Sequence, residues 1–232
     1  MGRIGSFHLV HDGRTARNLA RLGTDRRALV RVDGLRFWRL LGTGSGSTTS
    51  PSADLRRRAL FAVWESPDAL DAFLATSPVA ARWAAAEELW SVRLRRLGGH
   101  GRWRGVDPLE GMEQGRSDGP VAVVTRADVR LRHWRTFARA GRPVDGELHG
   151  ADGLVAVVGV GEAPIGRQAT FSLWRSAADL RRFAFELPEH ARVVQRTRGE
   201  GWYGEELFAR FEPYASEGRW RGIDPLAGLR PG

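Results

Sequence analysis

The sequence of 232 residues contains no cysteine and no lysine. Without cysteine there is no disulfide, no iron–sulfur cluster, no cysteine-built zinc finger and no thiolate ligand to iron. Long apolar runs are missing too: none approaches the roughly 20 residues that cross a bilayer. The first residues offer no signal-peptide core, because Arg3, His8, His11 and Arg14 interrupt them, so a cytoplasmic protein is expected. Nucleotide and hydrolase signatures are absent as well. Gly42-Thr43-Gly44-Ser45-Gly46 lacks the Lys-Ser/Thr of a phosphate-binding loop and the strand-to-helix setting of a dinucleotide fingerprint. No Gly-x-Ser-x-Gly nucleophile elbow occurs.

The absence of lysine changes how the charge is read. The net charge is +9 and the isoelectric point about 11.3, which by itself suggests nucleic acid. Every Lys/Arg cation is arginine, however, a pattern that points to coding bias. Acids such as Asp54, Glu65, Asp68, Asp71, Glu87 and Glu88 lie among the arginines. No nucleic-acid partner is expected, and at most a weak attraction to anionic membrane surfaces.

What the sequence does contain is itself, twice. Ala59-Leu60-Phe61-Ala62-Val63-Trp64-Glu65-Ser66 returns 110 residues later as Ala169-Thr170-Phe171-Ser172-Leu173-Trp174-Arg175-Ser176. The register holds through Leu70/Leu180, Phe73/Phe183, Pro78/Pro188 and Arg82/Arg192. Trp103-Arg104-Gly105-Val106-Asp107-Pro108-Leu109 returns 117 residues later as Trp220-Arg221-Gly222-Ile223-Asp224-Pro225-Leu226, and the same shift aligns Gly42-x-Gly44 with Gly159-x-Gly161. A period this long is not a solenoid repeat of about 20 to 50 residues; it is a duplicated half-domain.

Each half reads β-α-β-β-α-β, the ferredoxin-like order. Strands are predicted at 6–10, 35–41, 58–64 and 89–97, then at 121–125, 154–160, 168–174 and 207–211. Helices are predicted from Thr15, Pro67, Leu131 and Ala177, the last interrupted near Pro188. The expected organisation is an N-terminal half over 1–110, a Gly/Glu/Ser-rich linker over 111–119 and a C-terminal half over 120–232. The fold class is α+β: tandem ferredoxin-like units forming an α+β barrel.

Candidate chemistry concentrates in the second half. Strand period places Gln168, Thr170 and Ser172 on one face and Ala169, Phe171 and Leu173 on the other. A solvent face explains that alternation as well as a pocket lining does. His190 lies on the predicted second helix, and its repeat counterpart is Ala80. The scaffold thus tolerates alanine there, and only one copy carries the imidazole. His8-Leu9-Val10-His11-Asp12 has the ligand types of a non-haem iron site, but a strand turns His8 and His11 to opposite faces. The Trp-Arg-Gly-x-Asp-Pro-Leu segments, present in both halves, read as scaffold.

Several blocks resemble the spheroidene monooxygenase family of carotenoid-modifying enzymes. They are Phe37 to Gly46, Gly119 to Ala127, Gly159 to Pro164, Gln168 to Trp174 and Glu200 to Phe211. The resemblance is colinear over nearly the whole chain. It implies a haem-containing monooxygenase on an α+β barrel related to aldoxime dehydratases, chlorite dismutases and dye-decolourising peroxidases, with the proximal histidine on a helix of the C-terminal half. Carried onto this chain, it makes His190 the ligand to haem b iron, with Arg192 and Trp174 as further cofactor-binding positions. Gln168, Thr170, Ser172 and Arg126 become the catalytic surroundings. The expected partners are an apolar small molecule (a carotenoid, terpenoid or other specialised metabolite), O2 and an electron donor. A homodimer is a further expectation. A haem lyase of the aldoxime dehydratase kind, a haem or hydrophobic-ligand carrier and a cofactor-free monooxygenase are the alternatives.

Overall fold

The structure, a computed structural model, describes residues 2–13, 15–44, 53–162, 166–186 and 188–229. Each half follows the expected order. The first comprises β1 (Ile4–His11), α1 (Thr15–Leu29), β2 (Leu35–Gly44), β3 (Ala53–Trp64), α2 (Pro67–Thr76), α3 (Pro78–Ala84) and β4 (Glu88–Gly101). The second comprises β5 (Val121–Val129), α4 (Trp134–His149) entered by a 3-10 turn at Leu131–His133, β6 (Leu154–Gly161), β7 (Arg167–Trp174), α5 (Ala177–Glu186), α6 (Pro188–Gly199) and β8 (Tyr203–Gly218). The strands close into one barrel in the order β1-β3-β2-β6-β7-β5-β8-β4. The halves meet at β2·β6 and at β4·β8, both antiparallel.

Both faces of the central strands are covered, so they read as nearly continuous apolar runs. On β3, Ala59, Phe61 and Val63 point into the barrel, while Leu60, Ala62 and Trp64 meet the helices. Serines start the helices. Ser66 Oγ accepts the Ala69 N–H at 3.2 Å, and Ser77 Oγ accepts the Val79 N–H at 3.1 Å, each followed by proline in the first turn.

The repeated Trp-Arg-Gly-x-Asp-Pro-Leu segments form the same turn twice. Trp103 bridges Val106 and Trp220 bridges Ile223. Arg104 and Arg221 take left-handed φ values of 54° and 56°. Asp107 and Asp224 accept the Leu109 and Leu226 N–H groups at 2.8 and 3.1 Å. The buried tryptophans and leucines of the two turns join the barrel core, and they do so at opposite ends. One turn is tied to Glu205 at the start of β8, the other to Ser216 near its end.

The 111–119 segment connects the halves and also packs on them: Met112 is buried in the barrel core and the Gly115 N–H donates to the Arg96 carbonyl at 2.8 Å. The halves share that core. The expected glycine alignment needs correction by two residues. Gly42 pairs with Arg58 as Gly161 pairs with Gln168, and Gly42 lies opposite Gly161 across the seam. Gly42 to Gly44 belong to β2, and the remainder of that Gly/Ser/Thr stretch, 45–52, lies outside the described residues.

β1 is a strand, so His8 and His11 do fall on opposite faces, and no group of three metal-ligating side chains occurs among the described residues. His8 is buried between β1 and α2/α3. Its Nε2 lies 2.9 Å from Ser6 Oγ and its Nδ1 2.8 Å from Ser91 Oγ. Ser6 Oγ also accepts the Trp64 indole N–H at 2.8 Å. Burial, and then the positive charge of Arg93, push the His8 imidazole down to about 3. Its folded value thus lies below the unfolded value of about 6.5, so neutral His8 supports the fold fully above that pH. The support is lost as pH falls from about 6.5 toward 3. The expected contribution to the stability slope approaches 1.4 kcal/mol per pH unit in that window. Denaturant unfolding at stepped pH should show a shallower slope for His8→Gln than for the wild type; identical slopes would refute this.

Candidate functional site

Among the described residues the barrel interior is packed with aromatic rings. Phe7 stacks on Phe171 with centroids 4.0 Å apart, Phe61 packs on Trp103 and Phe211, and Trp90 packs on Phe171 and Trp220. A site has to lie between the outer face of the sheet and the helices. The duplication supplies the comparison that finds it.

In the N-terminal half one row across the outer face runs Leu40, Leu60, His8. The equivalent row in the C-terminal half runs Gly159, Thr170, Thr125. Leu60 and His8 are each 1% exposed, whereas Thr170 is half-buried and Thr125 is exposed in mid-strand. One row over, buried Arg58 is replaced by half-buried Gln168. On the second helix Trp83, which is buried, is replaced by Val193, which is only half-buried. At five corresponding positions a large group in the first copy is matched by a smaller one in the second. The helices differ in the same sense. α1 packs on β3 and β2, whereas α4 packs on α6 and reaches the sheet through side chains such as Leu148 and Phe137.

The first copy is filled and ion-paired. Arg58 donates to Asp12, Arg21 donates to Asp12 at 2.8 Å, Arg82 donates to buried Asp25, and Trp83 Nε1 lies 3.3 Å from Asp25. In the second copy a shallow recess of about 350 Å³ lies at the helix-to-strand edge, lined by Thr197, Gly201, Tyr203, Gly204, Glu205 and Glu206. Phe137 of α4 packs edge-on against Tyr203 at 6.0 Å. Burial, and then the negative charge of Glu206, push the Tyr203 phenol up to about 12, so it remains a proton-bearing donor at neutral pH.

The predicted site residues divide. Gln168 and Thr170 sit on the helix-facing side of β7, two strands over from the Tyr203–Glu206 end of β8 that lines the recess. Ser172 is on the same face but is committed: its Oγ accepts the Trp174 indole N–H at 3.0 Å. Trp174 is buried against Phe183, with centroids 5.2 Å apart, and serves as wall. Arg126 does not join them. It pairs with Ala169, which faces the barrel, so its side chain lies on the opposite side of the sheet. There it is 2% exposed, ion-paired with Glu205 and Asp128, and set over Trp103. Arg126 thus stands at the barrel end, across the sheet from Gln168, Thr170 and Ser172, and its partner Glu205 lines the recess. Arg192 is on the exposed side of α6.

His190 belongs to α6, but its side chain lies outside the described part of the structure. Thr197, further along the same helix, is buried and lines the recess. The counterpart of His190, Ala80, is 5% exposed in the core between helices and sheet. Positions not singled out from the sequence are Thr125, Gly159, Val193, Thr197 and Tyr203. The repeat itself offered the His8/Thr125 and Trp83/Val193 contrasts; the Leu40/Gly159 match comes only from the strand pairing, since the sequence register sets Gly42 against Gly159.

A duplicated ferredoxin-like barrel with its opening on one copy defines the class. The fold is shared with an aldoxime dehydratase crystallised with butyraldoxime, at a TM-score of 0.62 and 12% identity over 98% of this chain and 84% of that one. At that identity the likeness concerns the fold alone. No family model matches the sequence. Sequence relatives are nearer. Spheroidene monooxygenase of Rhodobacter capsulatus is 34% identical over 206 residues, covering 87% of this chain and 85% of that protein. Spheroidene monooxygenase of Rubrivivax gelatinosus is 37% identical over 192 residues, covering 82% and 73%. The chain belongs to the spheroidene monooxygenase family.

The geometry makes Ser172 a structural partner. Ser172→Ala leaves a buried indole N–H without an acceptor and is expected to cost about 1–3 kcal/mol. Urea unfolding measures it; a loss below about 0.5 kcal/mol would show that Trp174 finds another acceptor.

Proposed function

We propose that this protein is a monooxygenase that inserts one atom of O2 into an apolar polyene of the carotenoid class, in the recess of its C-terminal half. The observation that carries the reading is the one-sided emptying of a duplicated fold, in a chain that belongs to the spheroidene monooxygenase family. Monooxygenation requires two electrons from an external donor, and the second oxygen atom leaves as water.

Haem b is the proposed cofactor: position 190 offers an imidazole on α6, and no cysteine competes for iron. The recess lining itself is polar and partly acidic, with Thr197, Tyr203, Glu205 and Glu206, and Gly159, Thr170 and Thr125 form a row of small side chains on the helix-facing side of the neighbouring strands. Haem, when bound, supplies O2 binding and activation, tuned by the polarity of its surroundings. Gln168, Thr170 and Tyr203 are neutral hydrogen-bonding groups. They can orient an oxygen-bearing ligand and, through the Tyr203 phenol, hold a proton near it. The apolar neighbours Phe137, Val157 and Phe208 offer contact to a hydrocarbon chain.

Expression with ample haem should give a protein with haem absorption that His190→Ala loses. The reduced protein, given a carotenoid under isotopically labelled O2, should place label in the product. Unchanged haem content in His190→Ala would move the ligand elsewhere. Turnover under strict anaerobiosis, or product without label, would replace oxygenation by a lyase reaction.

A second substitution tests the site without touching the ligand. Thr170→Leu installs what the first copy carries at the same place. It should change stability by less than about 1 kcal/mol, since half-buried positions away from strain tolerate such changes. It should weaken ligand uptake at least about ten-fold, roughly 1.4 kcal/mol of binding, read by titration against the wild type. Undiminished uptake would place the site off the Gly159–Thr170–Thr125 row.

A further inference from the structure

The rim of the recess carries a charge pattern that the oxygenase chemistry does not use. Residues 129–144 contain five arginines and no acid. They comprise the end of β5, the 3-10 turn Leu131–His133 and the first part of α4. Arg130, Arg132, Arg135 and Arg139 are all exposed, and none is ion-paired with a carboxylate among the described residues. Arginines elsewhere are often compensated, as in Arg93 with Asp71, Arg95 with Glu212 and Arg36 with Glu65. Between Arg130 and Arg132 stands Leu131, 79% exposed, the most exposed of the large apolar side chains among the described residues. Spacings of three and four residues place Leu131, Arg132, Arg135 and Arg139 along one side of the turn and helix.

This segment is fastened to the recess. Arg130 Nη1 donates to the Gly201 carbonyl at 3.1 Å, and the Arg130 N–H donates to the Trp202 carbonyl at 2.9 Å. Gly201 lines the recess. Phe137, a turn further along α4, packs on Tyr203 of the same recess. The cationic, leucine-tipped edge and the opening therefore move as one piece.

We propose that the 130–139 edge docks this protein on an anionic lipid surface, with Leu131 entering the interface and the arginines on lipid phosphates, so that the recess opens toward the bilayer. The partner is chosen by charge and apolarity together. Unpaired guanidinium groups with long apolar stems seat at a headgroup layer, and an exposed leucine among them adds burial that free anions in solution cannot supply. The purpose rests on the proposed function, since a carotenoid dissolves in lipid and not in water. The binding does not rest on it.

The test is co-flotation of the full chain, without substrate, with vesicles of phosphatidylcholine alone and of phosphatidylcholine with phosphatidylglycerol. The wild type is expected to float with the anionic vesicles and not with the neutral ones. R132E/R135E should lower that binding by more than about 25-fold, at about five-fold for each arginine removed, and Leu131→Ser should weaken it further. R27E/R31E, on the exposed side of the first half, changes the net charge equally and should leave most of the binding intact. Thermal melts check that the variants, all at exposed positions, remain folded. Absence of flotation, undiminished flotation of R132E/R135E, or equal loss in R27E/R31E would overturn the proposal, the last by showing that net charge alone drives adsorption. Vesicle binding that survives alongside failed oxygenation would instead count against the proposed function only.

Discussion

Closure of the barrel around a full aromatic interior is the constraint on which everything else depends. Eight antiparallel strands leave no free edge, and the stack of Phe7 on Phe171 joins the central strands of the two halves at the middle of the molecule. The Trp103 and Trp220 turns seal the ends. A barrel filled in this way is rigid and chemically silent. It forces any ligand chemistry onto the outer faces, where each half presents strands to its own helices.

The two outer faces answer that demand differently. The first is plugged by Leu40, Leu60 and Trp83 and by a buried ion-pair group built on Arg58, Asp12 and Asp25. Such a group offers little net stability over an apolar plug, because desolvating the charges offsets their attraction. It does rigidify the half, since removing one partner strands the others. The second face forgoes that filling. Each buried leucine given up forgoes about 1.5–3 kcal/mol of burial.

Much of this was legible in the chain, for identifiable reasons. The 110-residue register from Ala59 to Arg82 is gapless because β3, α2 and α3 pack as one unit whose loops are short. Strand alternation gave the two faces of β7 correctly. It does not say which face looks into a filled barrel, nor that Gln168 and Arg126 lie on opposite sides of the sheet. Parity along one strand relates Gln168 to Ser172; relating it to Arg126 needs the pairing of β5 with β7. Composition does not show that Met112 of the 111–119 segment reaches the core. The acceptor role of Ser172 toward Trp174 is made two residues away on the same strand face, a relation the spacing allows but does not demand.

The halves also show why comparison within one chain is a sharper instrument here than residue type alone. A lone histidine on a helix or a threonine on a strand carries little information. Set beside their counterparts, His190 against Ala80 and Thr170 against Leu60 become departures from a scaffold known to fold with the other choice. Tryptophan shows the converse. Trp64 and Trp174 occupy the same place, each buried and each with its indole satisfied by a serine, but the serine comes from β1 in one half and from β7 in the other. The requirement for an acceptor was kept while the residue supplying it moved. Positions that keep a physical role under different residues are scaffold, and positions where the role itself changes between the copies mark the site.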